Sequence, residues 1–123
     1  MLKKTQQIET FTLFHNQAIS AGSAAVSEHI CLDCQFLTGK FSLQARVAGD
    51  GEARFDYELS NNLVDFVTGA SSIATGVTKT SGPGGDGKVL FGFTPEIGEF
   101  IRIKVAETGS SNPIIISVWL TAF

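Results

Sequence analysis

The feature that most constrains the fold is a strict alternation of apolar and polar residues in two neighbouring segments. In "KFSLQARV" (residues 40–47) every second residue is apolar, and "EARFDYEL" (residues 52–59) repeats the pattern. Successive side chains of a β-strand point to opposite faces, so this period of two predicts strands with one face on a core and one in water. The turn sequence "AGDG" between them favours an antiparallel pair.

The same period recurs along the rest of the chain, whereas no window has the period of a helix. The segments "KVLFGFT", "EFIRIKVA" and "NPIIISVWLTAF" predict further strands, and "QIETFTLFH", "AAVSEHICL" and "FVTGASSIATGVTKT" predict weaker or irregular ones. A charged fraction of 17%, with 13 glycines and 10 phenylalanines, is typical of strands joined by glycine-rich turns. We therefore expect about eight strands in an all-β antiparallel β-sandwich or jelly roll, with a small closed barrel as the alternative.

The 123 residues are enough for one domain with its own core, which we expect to span residues 8–123. Residues 1–7, "MLKKTQQ", carry one apolar residue after the first methionine and no alternation. Such a segment cannot offset its own ordering entropy, so we expect a flexible N-terminal arm that orders against a neighbouring subunit or lattice. The candidate contact residues of this arm are Leu2, Lys3 and Lys4.

The charge pattern argues against two classes of partner. The net charge is −3, and apart from Lys3 and Lys4 the nine basic residues are scattered, so no basic surface for nucleic acid is expected. No apolar run approaches the ~20 residues of a membrane span, and the first residues lack the apolar stretch of a signal peptide. We expect a chain that is made in a cytoplasm and binds neither nucleic acid nor membrane.

The stretch "HICLDC" is the one segment with metal or redox potential. Cys31 and Cys34 form a CxxC with His29 just before it, but a tetrahedral zinc site needs four ligands and the other histidine, His15, is isolated. A redox CxxC needs a helix N-terminus, which a strand pattern does not supply. We expect both cysteines to be reduced, unbridged and free of metal, and no cofactor to be bound.

Two further patterns that suggest catalysis have simpler interpretations. The stretch "TSGPGGDGK" (residues 80–88) resembles a phosphate-binding loop, but a strand pattern rather than a helix follows Lys88, which predicts a flexible connection. Glu52, Asp56 and Glu58 share the polar face of their strand with Arg54, as on a solvated sheet surface. Because neither histidine lies near a nucleophile motif, we expect a protein without enzymatic activity.

If the two strands that flank "AGDG" pair directly, their charges decide the register. Matching of the apolar faces requires paired residue numbers with an even sum. A sum of 98 places Arg46 opposite Glu52 and Lys40 opposite Glu58, whereas a sum of 100 places Arg46 opposite Arg54. Opposite charges across strands contribute ~0.2–1 kcal/mol and like charges oppose pairing, so we expect the sum of 98.

The second half of the chain resembles a known group of proteins. Within residues 55–123, the run "YELSNNLVDFVTGASSIATGVTKTSGPGGDGKVLFGFTPEIGEFIRIKVAETGSSNPIIISVWLTAF" contains a core strand, a glycine-rich loop, an aromatic-rich strand, "FIRIKV" and a final "ISVWL" strand. This order is similar to small β-sandwich proteins of tailed-phage and prophage structural modules. The resemblance implies a virion component made in the host cytoplasm, such as a head decoration (cement) protein or another accessory that binds the capsid or tail lattice.

The last predicted strand is apolar on both faces. In "NPIIISVWLTAF", the even-numbered residues from 114 to 122 form one face, and the other carries Ile115, Trp119 and Phe123. A sandwich core uses only one face, so a partner subunit or the N-terminal segment of the same chain must cover the second. We expect a homo-oligomer with Ile115, Trp119 and Phe123 at the subunit interface. The decoration proteins that the chain resembles are often trimeric, which favours a trimer.

A different class of function is a carbohydrate- or receptor-binding module of a phage fibre or tail. Sugar binding by stacking needs a platform of exposed aromatic rings. Trp119 is the sole tryptophan, Tyr57 is expected to point inward, and ten phenylalanines at alternating positions are more typical of a core. Sugar or receptor binding therefore remains the second hypothesis.

Overall fold

The computed structural model describes residues 9–32 and 39–123, and these residues form ten β-strands. The strands are β1 (Glu9–Ile19), β2 (Ala24–Val26), β3 (Ile30–Cys31), β4 (Phe41–Ala48), β5 (Ala53–Ser60), β6 (Val67–Thr68), β7 (Ala74–Val77), β8 (Lys88–Phe93), β9 (Phe100–Glu107) and β10 (Ile114–Ala122). The all-β prediction is confirmed, since every segment predicted as a strand contains one. Within these two ranges, no helix is long and apolar enough to cross a membrane.

The strands form two antiparallel sheets that face each other as a sandwich. One sheet has the order β1-β10-β4-β8, and the other has the order β2-β9-β5-β6. Strand β3 pairs with β9 in line with β2, and β7 pairs with β5 in line with β6. Each of these two pairs of short strands fills one position, so the ten described strands occupy eight positions. This arrangement is a jelly roll. The count is ten rather than eight because "AAVSEHICL" and "FVTGASSIATGVTKT" each break into two short strands.

The core lies between the sheets and consists of alternate residues from each long strand. In β10 every even-numbered residue from 114 to 122 is fully buried, and in β9 the same holds for Ile101 and Ile103. Leu43 on β4 and Phe55 on β5 belong to the same core. Burial of one such side chain stabilises the fold by roughly 1.5–3 kcal/mol. The inward faces predicted from the alternation are therefore the faces that build the core.

The predicted pairing of β4 with β5 is wrong, because these strands belong to different sheets. β4 pairs with β10 and β8, whereas β5 pairs with β9. Arg46 consequently lies opposite Ser117 and Lys88, and neither the Arg46–Glu52 pair nor the Lys40–Glu58 pair forms in a ladder. Two strands that face each other across a core have the same alternation as two strands that pair in one sheet.

The "AGDG" turn crosses from one sheet to the other and packs closely against the backbone of the β9–β10 connection. Gly49 has a φ of 87°, which favours glycine. A Cβ atom on Gly51 would lie 2.5 Å from the backbone oxygen of Asn112. The turn glycines are thus needed for a passage between sheets rather than for a hairpin.

Cross-strand charge pairing does occur, with β9 as the partner of β5. Glu58 lies opposite Arg102, whose Nε donates to Glu58 Oε1 at 2.7 Å. Asp56 accepts a hydrogen bond from Arg54 Nε at 2.9 Å. The expectation of a solvated surface is wrong for Asp56 and Glu58, which are buried. Each is held by an arginine, and the ring of Phe66 stacks 3.7 Å from the guanidinium carbon of Arg102.

At one end of the sandwich, three connections converge on the carboxylate of Glu107, the last residue of β9. Its oxygens accept hydrogen bonds from the backbone amides of Glu52 (2.9 Å), Gly22 (2.9 Å), Gly109 (2.7 Å) and Ser110 (2.8 Å). These bonds, first of all the one from Glu52, lower the pKa of Glu107 to about 2 against the opposing effect of burial. The carboxylate thereby ties the β1–β2, β4–β5 and β9–β10 connections together.

Candidate functional site

The outward side of the four-stranded sheet carries the residues that the sequence predicts at a subunit interface. Ile115 and Trp119 point away from the core, in agreement with the alternation in β10. Ile115 is exposed and Trp119 is half-buried. The described N-terminal residues form β1, which pairs beside β10 in the same sheet and does not lie over this side.

Ile115, Trp119 and Phe123 form a line rather than a compact cluster, because residues four apart along a strand are separated by about 13 Å. Ser117 lies between the first two and is buried in a polar network. The Asn16 amide donates to Ser117 Oγ at 2.9 Å, and Arg46 Nη2 donates to Asn16 Oδ1 at 3.2 Å. This network separates Ile115 from the rest of the predicted interface.

Phe123 follows the end of β10 and has different surroundings from Trp119. It lines a shallow cavity of about 490 Å³ together with Phe41 and Phe93. The rings of Phe41 and Phe93 stack with their centroids 5.6 Å apart. Phe123 therefore lies at the end of the sheet, where the outward side meets the core.

Trp119 lies in an uncharged region, which we term the outer sheet face. In the register of the sheet, Trp119 is flanked by Thr12 on β1 and Gln44 on β4, and Leu90 on β8 lies beyond Gln44. The next row towards Phe123 consists of Thr10, Thr121, Ser42 and Gly92. Protein interfaces are enriched in tryptophan and depleted of charge at their centres. The outer sheet face has both properties.

A second surface lies at the end of the sandwich opposite Glu107. A cleft of about 260 Å³ opens between the β5–β6 and β8–β9 connections, and we term it the end cleft. Leu59, Val67 and Ile97 provide its apolar walls, and Asp65 and Glu96 belong to its polar lining. Residues from two distant parts of the sequence thus meet in one concave surface.

Apolar exposure is concentrated around the end cleft. Ile97 is fully exposed, Val64 is 80% exposed and Val67 is 68% exposed. Together with Leu63 they make up four of the seven large apolar residues that are exposed in the described parts of the chain. Exposed apolar side chains rimmed by polar ones are typical of protein interaction sites.

Sequence reasoning missed the end cleft because its most exposed residues lie in connections rather than in strands. The available signal was the presence of Leu63, Val64 and Ile97 inside the otherwise polar stretches "SNNLVD" and "TPEIGE". An aliphatic residue in a solvated turn has no core to enter, so its presence there points to a partner or to a local cluster.

Side-chain hydrogen bonds hold the walls of the end cleft in place. Tyr57 Oη donates to Glu96 Oε1 at 2.9 Å, and the Ala70 amide donates to the same oxygen at 3.3 Å. The hydrogen bond from Tyr57 lowers the pKa of Glu96. The pKa of Tyr57 is raised, mainly by burial and next by its hydrogen bond to this carboxylate. On the facing wall, Asn62 Oδ1 accepts from the amides two and three residues further on. The cleft is therefore preformed.

Among the described residues, the other candidate sites from the sequence show neither a metal-ligand group nor the architecture of a phosphate loop. Cys31 on β3 is a half-buried free cysteine, and Cys34 lies outside the described residues. Lys88 begins a strand rather than a helix, so the glycine-rich connection lacks the architecture of a phosphate loop. Across residues 9–32 and 39–123, no group of His, Cys, Asp and Glu is placed to hold a metal ion. The predicted arm with Leu2, Lys3 and Lys4 also lies outside the described residues.

Comparison with known proteins shows the fold but no family. No protein-family model matches the sequence, and no curated protein matches it significantly. Among solved structures, VP2 of an infectious bursal disease virus subviral particle has a TM-score of 0.54 and 12% identity over 94% of this chain, which spans 32% of VP2. At this identity the likeness shows a β-sandwich shared with a viral capsid protein and nothing finer.

Two other similar structures are more distant. The CBM22-1 xylan-binding domain of Paenibacillus barcinonensis Xyn10C has a TM-score of 0.49 and 10% identity, over 98% of this chain and 97% of that domain. PliG of Aeromonas hydrophila, a periplasmic inhibitor of g-type lysozyme, has a TM-score of 0.48 and 8% identity, over 99% of this chain and 90% of PliG. Neither likeness is strong enough to indicate an activity.

Proposed function

We propose that this chain is a non-enzymatic virion structural protein that binds a capsid or tail lattice, as a decoration (cement) or accessory protein without a cofactor. The observation that carries the proposal is the outer sheet face, an uncharged sheet surface around Trp119 that no other described segment covers. The jelly-roll architecture, the likeness to a viral capsid protein and the resemblance to phage structural modules support the same class of function.

The outer sheet face also provides for self-association into a homo-oligomer, with a trimer as the first arrangement to test. Eight residue steps along β10 and four strands across give the whole outward side of this sheet, of which the outer sheet face is a part, an area of about 26 Å by 19 Å, or about 500 Å². A standard protein interface buries about 800 Å² on each partner. Contact through this face alone is therefore expected to be weak, and stable assembly requires a lattice or a second contact.

Density-gradient purification of virus particles from the producing strain tests the proposal. The tagged chain should band with the particles at a fixed copy number per capsid, and Trp119→Ser should reduce that number. Val26→Ser is the matched control, because Val26 is an exposed apolar residue on the other sheet. A chain found only in the soluble fraction would contradict a virion role.

The second candidate is a carbohydrate- or receptor-binding module of a phage fibre or tail. The observation in its favour is the position of Trp119 between Thr12 and Gln44, since a ring beside hydroxyl and amide groups suits a sugar. A glycan array separates the two functions. Binding that Trp119→Ser abolishes would favour the module, and no binding is expected of a lattice protein.

A further inference from the structure

We propose that the free edge of β8 pairs with the same edge of a second copy, so that two four-stranded sheets become one continuous sheet. The contact is made by backbone hydrogen bonds at an edge, and it is independent of the outer sheet face and of a virion role. The proposal rests on the state of the four sheet edges, on the direction of the backbone groups in β8, and on a register in which two copies of β8 fit each other.

Each sheet ends in two edges, and in the described residues three of these four edges are interrupted. β1 has two register shifts against β10, and Asn16 within it has a φ of 47°. In the other sheet, one edge is divided into β2 and β3 and the other into β6 and β7, with no strand longer than four residues. Bulges and short strands keep sheet edges from pairing with other chains. The edge of β8 has neither, since it pairs with β4 without a shift.

The even-numbered residues of β8 direct their backbone groups to this free edge. In an antiparallel pair, successive residues point their amide and carbonyl groups alternately towards the partner strand and away from it. The Val47 amide donates to the Gly87 oxygen at 3.0 Å, so the odd-numbered residues of β8 face β4. At Lys88 the outward side is occupied, because a Cβ on Gly82 would lie 2.1 Å from the Lys88 oxygen. The edge is thus open from residue 89 onwards.

One register of two antiparallel β8 strands uses all of this open length. Leu90 then lies opposite Gly92 of the second copy, and Phe91 lies on the two-fold axis opposite its own equivalent. No described residue bonds to the outward groups of Leu90 and Gly92, and each such pair exchanges two hydrogen bonds. A register centred on Leu90 would instead require the occupied side of Lys88, and one centred on Gly92 would need residues beyond the end of the strand.

The side chains of this register fit each other, which favours a second copy as the partner strand. Leu90 is 68% exposed and faces a glycine, which leaves room for it. The half-buried rings of Phe91 meet at the axis as a non-hydrogen-bonded pair, in which side chains approach closely. Lys88 lies opposite Thr94, so no like charges face each other. Such an isologous contact closes at two copies, and it supplies the second contact that the outer sheet face requires for stable assembly.

Sedimentation equilibrium of Gly92→Pro tests the edge contact. Proline removes the outward amide but is tolerated on edge strands, so the circular dichroism should persist while self-association weakens about tenfold or more. Gly92→Ala is the matched control, because it keeps the amide and its Cβ meets nothing closer than 3.9 Å. This control should associate like the wild type. The proposal is overturned if the wild-type chain stays monomeric, or if a folded Gly92→Pro associates like Gly92→Ala.

Disulfide trapping locates the two-fold axis and does not depend on the proline variant. Single cysteines are introduced at residues 90–92, or at Val26 on another edge as the control, in a chain whose two native cysteines are replaced by serine. Under a mild oxidant, Phe91→Cys should form a covalent dimer fastest, because only a residue on the axis faces its equivalent, at a Cα distance of about 4.5 Å. Cross-linking at residues 90–92 no faster than at Val26 overturns the edge contact, and fastest cross-linking at residue 90 or 92 overturns the register. Trp119→Ser should leave the cross-link intact, so the edge and the outer sheet face are tested apart.

Discussion

Two adjacent residues of β10, Trp119 and Leu120, point to opposite sides of the sheet, one to the proposed interaction surface and the other to the core. Leu120 points into the core and is fully buried, whereas Trp119 points to the outer sheet face. We predict that Leu120→Ala lowers the stability of the fold, and that Trp119→Ser mainly lowers self-association. Both substitutions truncate a large apolar side chain on the same strand, so each variant is the control for the other.

The expected magnitudes follow from burial. Truncation of a fully buried leucine costs about 2–5 kcal/mol, because the surrounding side chains only partly fill the cavity. Leu43, the neighbour of Leu120 on β4, is also fully buried, so little relaxation is expected. At about 4 °C per kcal/mol for a domain of this size, Tm should fall by about 8–20 °C. Trp119→Ser mainly loses β-propensity, about 1 kcal/mol, which corresponds to about 4 °C.

Thermal melting followed by circular dichroism measures the stability of both variants, and sedimentation equilibrium measures their association. Melting is carried out at low protein concentration, where self-association adds little to Tm. Trp119→Ser should retain the strand spectrum and shift the assembly towards monomer. If Trp119→Ser is unfolded at every concentration, Trp119 is part of the core and the interface lies elsewhere.

Three further predictions concern Glu107, the glycines of the β7–β8 connection and the two cysteines. The folded-state pKa of Glu107 lies below its ordinary value of 4.5, so its contribution is complete above that pH and is lost as the pH falls towards about 2. As the pH is lowered from 6 to 2, the urea midpoint of unfolding should therefore fall more steeply for the wild type than for Glu107→Gln. Parallel curves of midpoint against pH would refute this role of Glu107. Gly87→Ala should cost about 1 kcal/mol or more and exceed Gly85→Ala in a urea titration, although both have positive φ. A Cβ on Gly87 would lie 2.4 Å from a backbone oxygen of β4, whereas one on Gly85 meets nothing closer than 3.8 Å. Thiol titration of the unfolded chain without reductant should find two free thiols, from Cys31 and Cys34, and stoichiometric zinc or a missing thiol would contradict this.

The faces of the strands were predictable from the sequence, but the partners of the strands were not. Alternation reports which residues are buried, whichever strand lies alongside, and so it identified the inward residues of β9 and β10. It could not report that β4 and β5 lie in different sheets, because "AGDG" suits a hairpin and a cross-sheet turn equally. The deciding contacts join Gly51 to Asn112 and the Glu52 amide to Glu107, and these residues are far apart in the sequence.

The candidate surfaces were predictable only in part for the same reason. The outward position of Trp119 follows from local alternation within one strand. The end cleft joins residues 59–67 to residues 96–98, and only the fold brings these segments together. The burial of Asp56 and Glu58 likewise depends on β9 and on Phe66, so a local pattern of charges was misread as a solvated surface.

The fluorescence of Trp119, the sole tryptophan, tests most directly whether the outer sheet face forms the contact between copies of this protein. Acrylamide quenching is measured over a range of protein concentrations, in parallel with the mass from sedimentation equilibrium. At low concentration the ring should be accessible to quencher, and the quenching constant should fall with the same midpoint as the rise in mass. A mass that rises while quenching stays constant would place the contact elsewhere, and a ring already protected in the monomer would contradict an interface role for Trp119.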